Sequence, residues 1–127
     1  DSTVEIKCQN KVFSMDIASD AQCLTTGHDG GVLGLWQIEA KKMQNVGNRV
    51  STDSKETLLR TMVDPTASIV ITSSTTKNVT IYNVQTAKEL ARFCPGEITT
   101  AMVLSNDSKR LITTSDKGVI YVWKVPQ

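Results

Sequence analysis

Hydrophobic and polar residues alternate along short segments of the chain, and turn-forming residues separate these segments. The runs "VTIYNV" (Val79 to Val84) and "VIYVWKV" (Val119 to Val125) have a period of two, which is the period of a β-strand. No segment shows the hydrophobic spacing of an amphipathic helix. The pattern therefore predicts an all-β chain built from short strands.

One segment of 17 residues occurs three times along the chain. The copies read "QCLTTGHDGGVLGLWQI", "SIVITSSTTKNVTIYNV" and "KRLITTSDKGVIYVWKV". Their aromatic residues Trp36, Tyr82 and Trp123 occupy the same place and are 46 and 41 residues apart. A period near 40 residues in short strands is typical of a β-propeller blade. The alternative is a β-sandwich with coincidental spacing, which three copies in register disfavour.

Each copy is preceded by another alternating strand at a constant distance from the aromatic residue, and two copies are followed by a further strand. The repeating unit is therefore a four-stranded meander with strands a, b, c and d. The a strands with their turns are "VFSMDIASDA" (Val12 to Ala21), "LLRTMVDPTA" (Leu58 to Ala67) and "TTAMVLSNDS" (Thr99 to Ser108). They break at the turn formers Ser19-Asp20, Asp64-Pro65 and Asn106-Asp107. The d strands are "KKMQNV" (Lys41 to Val46) and "KELARF" (Lys88 to Phe93).

The repeat resembles the WD-repeat β-propeller family over nearly the whole chain. The residues that carry the resemblance are the strand c aromatics Trp36, Tyr82 and Trp123, the small strand b residues Thr26, Thr72 and Thr113, and the turn acids Asp29 and Asp116. The resemblance implies an all-β fold, a WD40-type β-propeller segment with four-stranded antiparallel blades. It also implies that Trp36 and Trp123 pack between neighbouring blades.

The chain departs from the family pattern at two places in each blade. The Gly-His dipeptide that precedes strand a in many members is missing, and only Gly96-Glu97 is similar to it. The Trp-Asp dipeptide is replaced by Trp36-Gln37, Tyr82-Asn83 and Trp123-Lys124. The hydrogen-bond network of His, Asp, Ser or Thr, and Trp that the family implies is therefore expected to be incomplete in every blade. Weaker blades, held together mainly by apolar packing, are therefore expected.

Two longer runs carry a closer resemblance. The segments from Thr57 to Val84 and from Gly96 to Val125 are similar to the final blades of the mitogen-activated-protein-kinase-binding WD-repeat scaffolds and their spindle-pole relative. This resemblance implies a scaffold that binds other proteins or peptides.

The spacing of the strands predicts an unusual arrangement of the chain ends. Phe93 precedes Thr99 by six residues, and Ile6 precedes Val12 by six residues, so Ser2 to Cys8 takes the place of a strand d. The predicted segments are strand d at 2–8, blades at 9–47 and 57–94, and a blade at 96–125 that lacks its outer strand.

Two interpretations of these ends remain open, because three blades are too few to close a ring. In the first interpretation, the chain is the end segment of a longer propeller; the first residue, Asp1 rather than Met, indicates a processed product or a piece of a longer protein. Alternatively, two copies form a six-bladed homodimer by exchanging N-terminal strands. The residues predicted to close that ring are Val4, Ile6, Val119, Tyr121 and Trp123.

Charge and cysteine content exclude several classes of function. Lys and Arg number 14 and Asp and Glu 13, for a net charge of +1, which argues against nucleic-acid or membrane-surface binding. No apolar run approaches the roughly 20 residues that span a bilayer. Cys8, Cys23 and Cys94 are far apart and show no CxxC spacing, and His28 is the single histidine, whereas a zinc site needs about four ligands held together. We expect buried or half-buried reduced thiols and a cytoplasmic protein.

The candidate chemistry does not indicate an enzyme or a cofactor. His28 lies in "TGHDGG" beside Asp29, but nothing in the sequence completes a catalytic triad, so we expect a solvent-exposed turn histidine. The predicted function is a non-catalytic protein-interaction scaffold, and the alternative is a structural component of a cytoskeletal or ciliary assembly. Loops on a rigid scaffold carry binding residues. The candidates are Asn10, Lys11, His28, Asp29, Thr76, Lys77, Glu97, Asp116 and Lys117.

Overall fold

The described part of the protein consists of eleven β-strands, as the alternating pattern predicts. The structure is a computed structural model that describes residues 6–18, 22–39, 42–50 and 56–126, with the backbone alone for residue 39 and residues 42–50. The strands are β1 (Val12–Ile17), β2 (Cys23–His28), β3 (Val32–Glu39), β4 (Lys42–Val50), β5 (Leu58–Val63), β6 (Ile69–Ser74), β7 (Val79–Asn83), β8 (Glu89–Phe93), β9 (Thr99–Leu104), β10 (Arg110–Ser115) and β11 (Ile120–Lys124). A 3-10 turn, Asp29–Gly31, joins β2 to β3.

These strands form three antiparallel sheets in which each strand pairs with its neighbour in the chain. Blade 1 is β1-β2-β3-β4, blade 2 is β5-β6-β7-β8, and blade 3 is β9-β10-β11. The first strand of each blade has a bulge near its start, where one residue is added between the paired positions. The all-β architecture of meander blades predicted from the repeat is confirmed.

The turns between strands a and b are fixed by the acidic residues that the sequence marks as turn formers. The Asp64 Oδ1 atom accepts hydrogen bonds from the N–H groups of Ser68 and Ile69, at 2.6 and 3.0 Å. In blade 3 the Asp107 Oδ1 atom accepts from the Lys109 N–H at 3.0 Å. Ser19-Asp20, the corresponding pair of blade 1, lies outside the described residues.

The alternation of side chains gives every blade two different faces. The aromatic face carries the strand c aromatic residue, and the aliphatic face carries the residues next to it in the strand. In blade 2, Val70 and Tyr82 on the aromatic face pack against blade 1, whereas Ile71 and Ile81 on the aliphatic face pack against blade 3. The hydrophobic core therefore lies in the seams between blades.

Both seams place the aliphatic face of one blade on the aromatic face of the next. Between blades 1 and 2, Leu33 and Leu35 pack on Leu58, Val70 and Tyr82. Between blades 2 and 3, the buried residues are Ile71, Val79, Ile81, Leu111 and Val125. The ring of Trp123 stacks on that of Phe93 from blade 2, with centroids 4.6 Å apart. Trp123 therefore packs between neighbouring blades, as predicted.

Hydrogen bonds also cross the seam between blades 1 and 2. The Ser14 hydroxyl donates to the Leu58 carbonyl at 3.3 Å and accepts from the Thr61 hydroxyl at 2.8 Å. The Asp16 carboxylate accepts from the Val63 N–H at 2.8 Å. Because β5 is an edge strand of its sheet, the Val63 N–H has no partner in strand pairing, and the Asp16 carboxylate supplies its acceptor. Hydrogen bonds at this seam therefore add to the apolar packing that the sequence predicts as the main contact.

The structure also bears on the predicted position of Trp36, the predicted burial of the cysteines, and two of the residues predicted to close a ring. Trp36 is buried on β3, but it lies on the face of blade 1 that points away from blade 2, so it is not between two described blades. Cys94 is exposed, whereas Cys8 and Cys23 are half-buried. Val4 lies outside the described residues, and Ile6, which is described, is exposed and is not part of a strand.

Candidate functional site

The loops that enter the first strand of each blade lie against the turns that join its second and third strands. One backbone hydrogen bond makes this connection in all three blades. The Asp29 N–H donates to the Lys11 carbonyl at 3.1 Å in blade 1. The equivalent bonds are Thr75 N–H to Thr57 carbonyl and Asp116 N–H to Ile98 carbonyl, each at 3.0 Å. We call this surface, formed by residues 9–11, 29–31, 56–57, 75–78, 95–98 and 116–118, the loop face.

Side chains reinforce the connection in blades 1 and 2. The Asp29 carboxylate accepts from the Lys11 N–H at 3.0 Å, and the Asn10 side-chain amide donates to the Asp29 carbonyl at 3.2 Å. In blade 2 the Thr75 hydroxyl accepts from the Thr57 N–H at 3.0 Å. The structure thus brings together Asn10, Lys11 and Asp29, which the sequence marks separately as binding candidates.

His28 is buried, with 3% of its surface exposed, so the prediction of a solvent-exposed turn histidine is wrong. Its Nε2 atom lies 2.7 Å from the Thr26 hydroxyl, and its Nδ1 atom lies 3.3 Å from the Asn10 carbonyl. The Trp36 indole N–H donates to the same Thr26 hydroxyl at 2.8 Å. The burial of His28 removes it from the set of residues that a partner can contact.

The direction of this hydrogen-bond chain follows from its two ends. An indole N–H only donates and a carbonyl only accepts. Trp36 therefore donates to Thr26, and in the tautomer with the proton on Nδ1, His28 donates to the Asn10 carbonyl and accepts from the Thr26 hydroxyl at Nε2. This hydrogen-bond chain contains the Trp, Thr and His members of the expected network. The Asp member is absent from it, because the Asp29 carboxylate accepts from the Lys11 N–H instead. The network of blade 1 therefore lacks its acidic member, although its other three members are joined by hydrogen bonds.

Gly34 makes room for this chain. A Cβ atom added at Gly34 would lie 2.5 Å from the Thr26 hydroxyl, 2.8 Å from Trp36 Nε1 and 3.2 Å from His28 Nε2. Counted from the aromatic residue of strand c, the same place in blade 3 holds Tyr121, whose ring stacks on Trp123. A glycine at this place, together with a histidine at the end of strand b, is the signal that sequence reasoning missed.

Replacing Gly34 with alanine is expected to lower the free energy of unfolding by about 2 kcal/mol, because the added Cβ atom displaces the Thr26 and Trp36 side chains. Urea denaturation followed by circular dichroism measures this change. The His28→Ser/Gly34→Ala double variant should cost less than the sum of the two single changes, since both alter one packed group. Unchanged stability of Gly34→Ala would contradict the geometry of this group.

The other candidate residues take part in turns and loops of blades 2 and 3. The Thr76 hydroxyl donates to the buried Glu56 carboxylate at 3.2 Å. The Glu97 carboxylate accepts from the Tyr121 hydroxyl at 3.1 Å. Partial burial and this hydrogen bond to Glu97 raise the pKa of the Tyr121 phenol. Thr76 and Glu97 therefore have structural partners within the chain.

The turns of the loop face share one residue position at which the φ angle is positive. Gly31, Lys77 and Gly118 occupy the same place relative to the strand c aromatic residue, and their φ angles are 71°, 70° and 80°. This left-handed region favours glycine and costs other residues roughly 1 kcal/mol. Lys77 adopts it in blade 2, and its side chain projects into solvent.

The exposed candidates that remain are Lys11, Lys77, Asp116 and Lys117. The three lysines come one from each blade, and each is held on a loop or turn that backbone hydrogen bonds fix. The loop face is therefore a hydrogen-bonded surface with an exposed lysine in every blade and an exposed acidic residue, Asp116, in blade 3.

Comparison with known proteins identifies the architecture. No family model and no curated protein matches the sequence. Among solved structures, the crystal structure of the RRP9 WD40 repeats superimposes on 94% of this chain with a TM-score of 0.82, at 13% sequence identity. The fold is a partial WD40 β-propeller. The chain spans 37% of the length of that matched chain.

Two further observations concern metal ions and membrane-spanning helices. Among residues whose side chains the structure describes, no group of three or more His, Cys, Asp or Glu residues is placed to hold a metal ion. The described residues also include no helix with the length and apolar character needed to cross a membrane.

Proposed function

We propose that this protein is a non-catalytic interaction scaffold whose loop face binds acidic segments of other proteins. The observation that carries the proposal is the placement of Lys11, Lys77 and Lys117, one exposed lysine from each blade on hydrogen-bonded loops. The acidic neighbours Asp29 and Glu97 already accept hydrogen bonds within the chain. These two carboxylates are half-buried, and Glu56 is buried. Among the exposed side chains of the loop face, three are lysines and one, Asp116, is acidic. This excess of exposed positive charge favours an acidic partner.

The rigidity of the loop face supports this function. Because the loops are tied to the turns before any partner arrives, binding does not have to order them. The two seams in turn hold the blades together through buried side chains. A surface held in this way presents its charges at constant positions, as a recognition surface requires.

The test measures binding of fluorescein-labelled acidic peptides to the loop face by fluorescence anisotropy. A peptide array that contains Asp- and Glu-rich sequences selects the probe. We expect the Lys11→Ala/Lys77→Ala/Lys117→Ala triple variant to bind the selected peptide at least about tenfold more weakly. Raising the salt concentration should weaken the binding of the unaltered protein, because exposed charges are screened.

The matched control removes three lysines that lie elsewhere. Lys88, Lys109 and Lys124 are also exposed but lie outside the loop face. Their combined replacement by alanine changes the net charge equally and should leave peptide affinity within about twofold. Equal loss of binding in the two triple variants would show that net charge rather than the loop face attracts the peptide, and would refute the proposal.

We further propose that the scaffold acts in the cytoplasm and forms a six-bladed homodimer, with Ser2 to Cys8 of each copy beside β11 of the other. The outer edge of β11 has no paired strand among the described residues, which supports this proposal. The resemblance to kinase-binding and spindle-pole scaffolds remains a prediction. The alternative is a structural component of a cytoskeletal or ciliary assembly within a longer propeller, which the 37% coverage of the matched chain favours.

A further inference from the structure

Blade 3 exposes an apolar sheet face that spans its three strands. The residues are the aliphatic face of this blade, and they lie side by side in the strand register. Val103, Ile120 and Val122 are exposed by 60%, 69% and 64%, and Ile112 by 36%. A continuous apolar surface of this kind marks an interaction site.

The same face of blade 2 shows what covers such a surface. Counted from the strand c aromatic residue, Val103, Ile112, Ile120 and Val122 correspond to Met62, Ile71, Val79 and Ile81. Ile71, Val79 and Ile81 have no exposed surface, because the aromatic face of blade 3 packs on them. The occupant that fits the free face of blade 3 is therefore the aromatic face of another blade.

Blade 1 carries such a face, and it is not covered by another described blade. The residues of the covering face in blade 3 are Met102, Leu104, Leu111 and Trp123, and the corresponding residues of blade 1 are Met15, Ile17, Leu24 and Trp36. The two sets differ by one Leu-to-Ile exchange. Trp36 is already buried within the chain, so the accessible part of this face is Met15 and Ile17, which are 63% and 48% exposed.

We propose that the aliphatic face of blade 3 binds the aromatic face of blade 1 in a second copy of this chain, repeating the seam between blades 2 and 3. This inference rests on the proposed homodimer and deepens it by naming the surfaces that meet. In the existing seam, Met62 and Met102 belong to one apolar cluster, and the recess that they line also borders Met15 of the same chain. The same geometry places Val103 of one copy beside Met15 of the other. Two such contacts close a ring of two copies.

Sedimentation equilibrium of the 127-residue chain tests the contact. We expect the mass of two chains at concentrations of about 100 µM. The single variants Val103→Glu and Met15→Lys should each weaken the dimer at least about tenfold, because each buries an unpaired charge in both seams. Both residues are more than half exposed in the single chain, so neither change should alter its circular dichroism spectrum.

Mixing the two variants provides the decisive measurement. A dimer of one Val103→Glu chain with one Met15→Lys chain has one seam in which the two new charges are paired and one seam without either change. We therefore expect the mixture to recover the mass of two chains. Loss of the dimer in each variant without recovery in the mixture would refute the proposed pairing.

Two controls separate this contact from other sources of association. Leu90→Glu introduces a charge at an exposed apolar residue of β8, outside both faces, and should leave the mass unchanged. Deleting residues 1–8 tests the exchanged strand separately. If the deletion separates the chains whereas Val103→Glu and Met15→Lys do not, strand exchange accounts for the dimer and the face contact is refuted. A single-chain mass for the unaltered protein would refute both, without bearing on peptide binding by the loop face.

Discussion

Replacing Trp36 with alanine is expected to lower the free energy of unfolding by about 3–5 kcal/mol, the range for deleting a large buried aromatic side chain. Trp36 has 8% of its surface exposed, so its removal leaves a cavity. The Thr26 hydroxyl also loses the indole N–H that donates to it, beside the buried His28 ring. Urea denaturation followed by circular dichroism measures the change.

The variant Trp36→Phe separates packing from hydrogen bonding at this place. Phenylalanine fills part of the space but has no N–H group, so we expect a smaller cost of about 1–3 kcal/mol. If Trp36→Ala and Trp36→Phe destabilise the protein equally, the hydrogen bond to Thr26 rather than ring packing dominates. If neither variant alters the unfolding midpoint, the burial of Trp36 described here is wrong.

Replacing Trp123 with alanine is expected to cost about 2–3 kcal/mol, less than at Trp36, although the repeat alone predicts the same large effect for both. The Trp123 ring is half-buried, but it stacks on Phe93 across the seam, and its N–H donates to the Thr113 hydroxyl at 2.9 Å. The thermal unfolding midpoint should fall accordingly.

Lys117→Ala is the control for this prediction. Its side chain is exposed on the loop face, and its replacement should alter the free energy of unfolding by no more than about 0.5 kcal/mol. A melting temperature of Trp123→Ala equal to that of the unaltered protein would contradict the register proposed for blade 3, because the register places Trp123 opposite Leu111 and towards blade 2.

The two seams of the molecule should respond differently to substitution. The seam between blades 1 and 2 combines apolar packing with a hydrogen bond that Ser14 donates and one that the Asp16 carboxylate accepts. The seam between blades 2 and 3 has a buried aliphatic cluster and the aromatic stack of Phe93 on Trp123. Directional bonds fix the relative position of two blades, whereas an apolar cluster tolerates exchange of similar side chains. The apolar kind of seam is therefore the one that a second copy can reproduce with its own residues.

Most of the fold could be predicted from the sequence, because the signals that define it are local. Alternation along each strand shows which residues share a face, and the repeat aligns Trp36, Tyr82 and Trp123 without knowledge of their neighbours. The turn formers Asp64 and Asp107 act on residues within five positions of themselves, so their role is readable from the chain. The meander of antiparallel strands follows from the short turns between them.

The candidate site could be predicted only in part, because its contacts join residues that are distant in sequence. Asn10 and His28 are 18 residues apart, and no local pattern indicates that they meet. The burial of His28 depends on the space that Gly34 leaves, which becomes visible only when strands β2 and β3 are paired. Sequence alone therefore identifies the loops but not which of their side chains are already engaged.

The sequence by itself determined the all-β class, the repeat and the two faces of each blade, since these follow from a period of two and from the spacing of three aromatic residues. Only the tertiary structure decided which faces are covered. Leu35 and Ile81 are buried and Val122 is exposed, although the three occupy the same place in their blades. The physical reason is that a side chain becomes buried only when a second surface covers it. The sequence of a strand specifies its own surface but not the surface that covers it.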